Sequence, residues 1–325
     1  MLIDNTVMYT KEMKIEIGAP GKSLYYFFDY DDRSFPINME FQHFHPFYEI
    51  CIYLDREAGH IIDGIWYDMR CCDIVLLRPA LLHKTVYPEG DPCKRLIIQF
   101  SIPSMRSHFL DDCMKTVYSL FEADCPIYRF EGGQKRAVLD KINDIWRLAQ
   151  APNELTELSI HNKFVEFLST MWLYRDHNTY SNNAALHGIT DKVYDITAYI
   201  HRHYPEPLSL EQISREFYIS SYYLSHQFKE ITGFSFTQYV QMTRVSNAQA
   251  LLMSCDDSIT DIALQCGFTS FSQFNRVFNK FVGKSPSLFR KEAKDIGLGI
   301  PAFAGNFSDA FPPGQSFSTV PSSPQ

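Results

Sequence analysis

The stretch Ile262–Lys291, IALQCGFTSFSQFNRVFNKFVGKSPSLFRK, combines helix-start signals with apolar residues at helical spacing. Ser270 is followed three positions later by glutamine, which is typical of a helix N-terminus. Phe274 and Phe278 lie four residues apart and so share one face of the helix that follows. Gly267 suits a sharp turn because glycine tolerates positive φ. The stretch therefore predicts a short helix, a tight turn, a second helix and the start of a third.

The same pattern occurs once before in the chain, so the region is an internal repeat. Leu210 and Ile213 correspond to Ile259 and Ile262, and one inserted residue then shifts the register. The later matches are Ser220 with Ser270, Leu224 with Phe274, Phe228 with Phe278, Gly233 with Gly283, Ser235 with Ser285 and Tyr239 with Phe289. Helix starts are predicted at Ser209 with Gln212, Ser220, Ser235 with Gln238, Ser270 with Gln273, and Ser285 with Pro286. Two short helices joined by a tight turn have helix-turn-helix geometry, and here it occurs twice.

The face opposite the buried residues of each second helix is polar and aromatic. It carries Ser221, Tyr222, Ser225 and His226 in the first copy, and Phe271, Ser272, Asn275 and Arg276 in the second, with Lys229 and Lys280 one turn further on. Asn and Arg can make paired hydrogen bonds to adenine and guanine, aromatic rings can contact a thymine methyl group, and lysines suit phosphates. The alternative is a solvated face on two packed helical hairpins. Two copies in register favour a DNA-binding role for these ten residues.

Residues Leu208–Lys291 resemble the DNA-binding domain of the AraC/XylS family of bacterial transcription regulators. The resemblance is carried by Ala263, Gly-Phe, Phe-x-Arg-x-Phe, Gly-x-Ser-Pro and a final Phe-Arg in the second copy. It implies two helix-turn-helix units joined by a long helix, at about Phe236–Met253. It also implies recognition helices about one DNA turn apart, in successive major grooves. His226 departs from the pattern, since basic residues are common there.

The first hundred residues contain many short apolar runs rich in β-branched and aromatic residues, which predicts a sandwich or barrel. The expected strands are Leu24–Phe28, Tyr48–Leu54, Gly59–Ile62, Ile65–Met69, Asp73–Leu77, His83–Tyr87 and Leu96–Phe100. Asp63-Gly64 is a strong hairpin signal between two of them. The domain also contains His43-x-His45-x3-Glu49 and the later His83, which together resemble the motif pair of cupins, small jelly-roll barrels.

The cupin resemblance leaves two uses for these four side chains. In metal cupins the corresponding residues bind a divalent metal, which would make a metal-dependent enzyme the alternative function. In regulator-type cupins, which the order HxHxxYE, IDG and DIVLLxP resembles, the barrel usually binds a small effector without metal, often a carbohydrate. We therefore expect His43, His45, Glu49 and His83 to contact an effector, and we expect no metal, no cofactor and no catalytic residue. No nucleophile–base pair, phosphate loop or carboxylate pair elsewhere indicates an enzyme.

Three helices are predicted after the strands, at Met105–Phe121, Gln134–Ala149 and Glu154–Tyr174. The third carries one apolar stripe that could be either packed core or a dimer seam. The stripe consists of Leu155, Leu158, His161, Val165, Leu168 and Trp172. The helical segment is therefore a candidate for dimerisation as well as support.

The expected fold class is α+β and multidomain. The domains are a cupin-type β-barrel (1–102), a helical dimerisation or support segment (103–175), a linker (176–187), an all-α double helix-turn-helix domain (188–294) and a disordered tail (295–325). The 325 residues carry a net charge of −8, which alone argues against nucleic acid as a partner. Residues 1–187 contribute −7 and residues 188–294 contribute +1, so the acidity lies outside the domain expected to contact DNA.

The N-terminus has no apolar segment typical of a secretory signal, and no run is long enough to span a membrane. The sequence thus predicts a cytoplasmic transcription regulator that binds double-stranded promoter DNA and a small-molecule effector, either as a monomer or as a homodimer. Activation and repression both stay open, and an activator would also contact RNA polymerase.

Overall fold

The computed structural model describes residues 14–18, 25–33, 42–45, 47–55, 57–87, 93–101, 108–182 and 189–295. The strands are β1 (Lys14–Gly18), β2 (Tyr25–Arg33), β3 (Tyr48–Tyr53), β4 (Ala58–Ile62), β5 (Ile65–Met69), β6 (Ile74–Leu77), β7 (His83–Val86), β8 (Cys93–Ser101) and β9 (Ile127–Tyr128). The helices are α1 (His108–Tyr118), α2 (Gly132–Gln150), α3 (Thr156–Leu173), α4 (Ile189–His203), α5 (Leu210–Glu216), α6 (Ser221–Thr232), α7 (Phe236–Ser254), α8 (Ile259–Gln265), α9 (Phe271–Val282) and α10 (Pro286–Asp295). The predicted tail lies outside the described residues from 296 onwards.

The strands form two antiparallel sheets, one of six strands in the order β1-β2-β8-β3-β6-β9 and one of three in the order β5-β4-β7. The seven predicted strands are confirmed within a few residues. Asp63 and Gly64 have φ values of 46° and 80° at the β4–β5 turn, as a type I′ hairpin requires. Among the described residues the sheets do not close into a barrel, so the β-rich region is confirmed and the jelly roll is not.

Helices α2 and α3 cover one face of the six-stranded sheet with an aromatic core. Phe164 lies at its centre, 5.0 Å from the ring of Tyr26 and 4.7 Å from that of Phe100, in edge-on arrangements. On α3 the buried face is Ile160, Phe164, Phe167, Leu168 and Met171.

The predicted α3 stripe is therefore only partly core. Leu168 is buried, but Leu155 is 63% exposed and Leu158 is 56% exposed. The true core face is rotated toward Phe164 and Phe167 because the sheet contacts the helix on that side.

The C-terminal helices enclose a separate core to which both repeat copies contribute equivalent residues. Four matched apolar pairs are buried, namely Ile213 and Ile262, Leu224 and Phe274, Phe228 and Phe278, and Tyr239 and Phe289, whereas Leu210 and Ile259 are partly buried. Two residues of the N-terminal sheets, Phe44 and Leu82, also belong to this core. The two parts of the chain therefore contact each other directly. None of the described helices has both the length and the apolar character needed to cross a membrane.

Candidate functional site

Serine caps fix where the helices of the repeat begin, as the sequence predicts. The Ser220 hydroxyl accepts a hydrogen bond from the amide of Tyr223 at 3.3 Å, and the Ser270 hydroxyl accepts one from Gln273 at 3.2 Å. Ser235 and Gln238 form a complete capping box at the start of α7. These caps set the N-terminal turns of α6 and α9, in which Tyr222, Phe271 and Ser272 are exposed.

The turn inside each unit uses the left-handed backbone region. Gly267 has φ 82° and approaches the backbone of Pro205 so closely that a Cβ would lie 2.5 Å from its carbonyl oxygen. The equivalent position in the first unit is Tyr218, with φ 53° and a side chain that is 92% exposed. Tyr218 was not predicted from the sequence, although the register of the repeat places it at this turn.

The second unit presents a continuous polar surface along α9. Every residue predicted there is exposed, namely Phe271, Ser272, Asn275, Arg276 and Lys280. They line a shallow groove of about 430 Å³ together with Asn279, which the sequence analysis missed. Asn279 is one turn beyond Asn275, so helical spacing alone could have identified it. The surface thus combines two cations with two amides.

The first unit presents a less basic surface along α6. Tyr222, Ser225, His226 and Lys229 are exposed. His226 Nδ1 lies 3.6 Å from the carboxylate of Glu230, which places an acid beside it. Ser221 is half-buried and its hydroxyl lies 2.7 Å from that of Ser214, so it joins α5 to α6 instead of projecting outward.

The four predicted effector residues come together between the two sheets. His43 pairs with His83 in an antiparallel backbone bridge, and their rings lie 4.3 Å apart. The ring of His45 lies 4.9 Å from that of His83, and its Nε2 lies 3.0 Å from Oε2 of Glu49. His60, which the sequence analysis missed, stacks on His83 at 6.0 Å. We call His43, His45, Glu49, His60 and His83 the histidine cluster.

Four members of the histidine cluster are buried and His43 is half-buried, and this sets the charge of the cluster. Burial lowers the pKa of His60 to about 3 and that of His83 to about 4. Burial and the neighbouring His83 and His45 hold the pKa of His43 well below its usual value. Three imidazoles are therefore neutral at neutral pH.

Glu49 is ionised within this cluster. Burial raises its pKa, but the hydrogen bond with His45 and the surrounding imidazoles lower the pKa well below its usual value overall. Gln99 also donates a hydrogen bond to Oε2 of Glu49 at 3.0 Å. The cluster thus places an ionised carboxylate, hydrogen-bonded to His45 and Gln99, beside three neutral imidazoles.

The histidine cluster is adjacent to the contact between the two parts of the chain. Gln42, next to His43, accepts a hydrogen bond of 2.8 Å from the hydroxyl of Tyr239 in α7. Ser246 of α7 donates to the carbonyl of Ala80, and Thr197 of α4 donates to that of Gly64 at 3.0 Å. Sequence reasoning gave no signal for these contacts, since each joins residues more than a hundred positions apart.

Comparisons with known proteins identify the C-terminal region. A family model described as a helix-turn-helix domain matches residues 213–292. An HTH-type transcriptional regulator of Staphylococcus aureus strain MSSA476 is 33% identical over 157 residues, which cover 48% of this chain and only 21% of that protein. The uncharacterized HTH-type transcriptional regulator YfiF of Bacillus subtilis strain 168 is 28% identical over 259 residues, covering 78% of this chain and 79% of that protein.

A solved structure of a transcriptional regulator with an AraC-type DNA-binding domain, from Chromobacterium violaceum, is 26% identical. The match covers 33% of this chain and 95% of the chain in that structure, with a TM-score of 0.31. The curated relatives are named as transcription regulators and not as enzymes, as the sequence predicts. The chain therefore carries a helix-turn-helix domain over residues 213–292 and is similar to proteins named as HTH-type transcriptional regulators.

Proposed function

We propose that the protein is a transcription regulator that binds double-stranded promoter DNA in a sequence-specific manner through both helix-turn-helix units. The observation that carries this proposal is the exposed surface of α9, where Asn275, Arg276, Asn279 and Lys280 share one groove. Arg and Asn side chains pair with guanine and adenine edges in the major groove, and lysine neutralises a phosphate.

In this proposal the two helix-turn-helix units make different contributions to the contacts with DNA. Arg276 and Asn275 read bases in the second unit, while Lys280 contacts the backbone. In the first unit Tyr222 contacts a thymine methyl group or a sugar, Ser225 contributes a hydroxyl, and Lys229 contacts a phosphate. Glu230 lies beside His226, so this histidine contributes less than a free cation would.

Helix α7 connects the two units and supports the proposed spacing. It runs from Phe236 to Ser254, close to the predicted span. A helix of that length rises about 28 Å, which is close to one turn of DNA. We propose that the two recognition helices enter successive major grooves on one face of the duplex.

We further propose that a small-molecule effector acts at the histidine cluster, through His43, His45, Glu49 and His83. Support comes from its position beside α7, the helix that joins the two DNA-reading units. A ligand can control DNA binding only if it favours one arrangement of the domains. A carbohydrate effector, a cupin barrel, a homodimer, contact with RNA polymerase and a cytoplasmic location stay predictions.

The proposed DNA-binding function is tested by selecting binding sites from a random duplex library with the full chain. Gel-shift titrations then compare the selected site with a scrambled duplex at one salt concentration. We expect at least a hundredfold preference for the selected site. Equal affinity for both duplexes, with folded protein, would contradict a sequence-specific regulator.

A further inference from the structure

Two adjacent cysteines lie at the turn between β5 and β6, where the chain passes from the three-stranded sheet to the six-stranded one. Cys71 Sγ and Cys72 Sγ are 3.4 Å apart, and both side chains are half-buried. Successive side chains of an extended strand point to opposite faces, which normally keeps adjacent thiols apart. At this turn the two sulfur atoms instead lie within reach of each other.

The backbone at Cys72 is left-handed. Its φ is 72°, and the amide of Asp73 donates a 3.0 Å hydrogen bond to the carbonyl of Arg70, which closes a four-residue turn with Cys72 at its third position. Glycine or asparagine is usual where this position has a positive φ, because other side chains strain the backbone there. Strained backbone positions of this kind cluster at functional sites.

Hydrogen bonds on both sides hold this turn in place. The amide of Cys72 donates to the carbonyl of Tyr53 at 2.7 Å, and the amide of Tyr53 donates to the carbonyl of Asp73 at 3.1 Å. The buried carboxylate of Asp73 accepts from the amide of Arg70 at 2.7 Å and from the guanidinium of Arg129 at 2.7 and 2.6 Å. The two thiols are therefore held side by side before any reaction, so little further ordering is needed to join them.

Cys72 is the more acidic thiol of the pair. The hydrogen bond with Cys71 and the charge of Lys135 on α2 lower the pKa of Cys72 to about 6, although burial opposes the shift. The same hydrogen bond and burial raise the pKa of Cys71, whose thiol also lies 3.1 Å from the carbonyl oxygen of Leu54 as a second acceptor. Cys72 is therefore a thiolate at neutral pH, whereas Cys71 keeps its proton.

We propose that Cys71 and Cys72 form a modification site, at which a hydroperoxide oxidises the two thiols to a disulfide between adjacent residues. A thiolate beside a positive charge, partly open to solvent and next to a second thiol, has the features of a cysteine that peroxides oxidise. The site lies outside both helix-turn-helix units, so its oxidation does not depend on DNA binding.

The reaction has two steps. The Cys72 thiolate attacks the terminal oxygen of the hydroperoxide, an S–O bond forms, the O–O bond breaks, and the leaving alkoxide takes from solvent the proton that Cys72 had released. Cys72 then carries a sulfenic acid. Cys71 attacks this sulfur, an S–S bond forms, the S–O bond breaks, and the hydroxyl group leaves as water with the proton of Cys71. The two sulfur atoms together lose two electrons, and the peroxide gains them.

The disulfide formed here is easily reduced. Cα atoms of adjacent residues lie about 3.8 Å apart across a trans peptide, whereas those of disulfide-bonded cysteines usually lie roughly 4.4–6.8 Å apart. A disulfide between neighbours is therefore strained, and strained disulfides are the labile ones. We expect the modification to be reversed by an ordinary dithiol.

The test uses the full chain, reduced, freed of reductant and exposed briefly to hydrogen peroxide at neutral pH. Remaining thiols are alkylated, and the tryptic peptides are weighed by mass spectrometry. Cleavage after Arg70 and Lys84 gives a peptide with both cysteines of the pair and no other cysteine. We expect this peptide to lose two hydrogen atoms and escape alkylation at least tenfold faster than the exposed Cys113 is oxidised. Dithiothreitol should restore both thiols.

Four variants separate the roles of the side chains, each checked for folding by circular dichroism. Cys71→Ser should stop at the sulfenic acid of Cys72, which dimedone traps, and Cys72→Ser should leave Cys71 unoxidised. Lys135→Gln should slow the oxidation of Cys72 at least threefold, because it removes the nearby positive charge, whereas Lys135→Arg should keep the wild-type rate. Lys141→Gln is the matched control and should also keep that rate, since Lys141 lies on the same helix and pairs with Glu166.

Three outcomes for the folded wild-type chain would overturn the proposal, whether or not every variant folds. Oxidation of the pair no faster than that of Cys113 would show that the turn does not activate Cys72. Sulfinic acid at Cys72 without any disulfide would show that Cys71 does not act as the second thiol. A covalent dimer on a non-reducing gel, joined through either cysteine, would assign the two thiols to a crosslink between chains.

Discussion

The hydroxyl of Tyr239 donates a 2.8 Å hydrogen bond to Gln42, so the helix that joins the two helix-turn-helix units is bonded to the residue preceding His43. His201 Nε2 lies 3.2 Å from the same hydroxyl, and His201 Nδ1 lies 3.4 Å from the carboxylate of Asp63. One polar network therefore connects the β4–β5 turn, helix α4, helix α7 and Gln42, the residue next to the histidine cluster.

Removing the Tyr239 hydroxyl should weaken this connection without emptying the core. Tyr239→Phe keeps the ring but leaves Oε1 of Gln42 without its donor, so we expect a loss of about 1 kcal/mol in the free energy of unfolding. Urea denaturation measures the loss. Tyr199→Phe, in α4 and stacked on His203, is the control and should stay within about 0.5 kcal/mol of wild type. Equal losses in both variants would contradict a specific role for the Tyr239 bond.

The contact between the two parts should weaken in mild acid. Burial lowers the pKa of His201, although Asp63 opposes this shift, so the folded protein holds His201 neutral. Unfolded histidine titrates near 6.5, so the stabilisation from neutral His201 is present above that pH and is lost as the pH falls below it. The change is at most about 1.4 kcal/mol per pH unit for one proton.

Urea denaturation between pH 7.5 and 5 tests this dependence. We expect His201→Gln to be less stable at pH 7.5 and to show a shallower decline toward pH 5 than wild type. Parallel declines in the two proteins would show that His201 does not contribute to the pH dependence.

The two turn glycines of the second unit should differ in their tolerance of alanine. Gly283 has φ 75° and open space around its missing Cβ, so Gly283→Ala should cost about 1 kcal/mol of backbone strain. Gly267→Ala adds a clash with the backbone of Pro205 to the same strain and should cost at least twice as much. Thermal unfolding of the two variants compares them directly. Similar losses of stability in the two variants would contradict the close contact between Gly267 and the backbone of Pro205.

The acidic part of the chain should limit non-specific DNA binding. The full chain carries a net charge of −8, whereas residues 188–294 carry +1. A fragment spanning about 188–294, checked for helicity by circular dichroism, should bind random duplex DNA more tightly than the full chain at equal salt. Fluorescence anisotropy measures both affinities. If a folded fragment binds random duplex DNA no more tightly than the full chain, the acidic residues outside 188–294 do not limit non-specific DNA binding.

The C-terminal domain was predictable because its determinants are local. Caps such as Ser270 and turn glycines such as Gly267 act within a few residues, and the repeat supplied each signal twice. The β4–β5 hairpin was predictable for the same reason, since Asp63-Gly64 specifies its own turn. The exposed face of α9 was predictable as well, because the Ser270 cap fixes where the helix begins and the helical spacing then gives the residues that face outward.

The contacts between distant segments were not predictable from local pattern. β9 has two residues and exists because it pairs with β6, more than fifty positions earlier. In the sequence, Phe44 and Leu82 resemble the other apolar residues of the β-rich part. In the structure they belong to the core of the C-terminal helices. His60 lies outside the His43-x-His45 motif, and only the packing of β4 against β7 brings it to His83.

A base-resolution footprint of the full chain on its selected DNA site tests the central claim most directly. The account predicts two protected patches about one helical turn apart on one face of the duplex. Arg276→Ala should lose about 1–3 kcal/mol of binding free energy and blur one patch, whereas Arg147→Ala, on α2 of the other domain, should leave both unchanged. Protection without sequence preference, or an Arg276→Ala footprint and affinity equal to those of wild type, would contradict it.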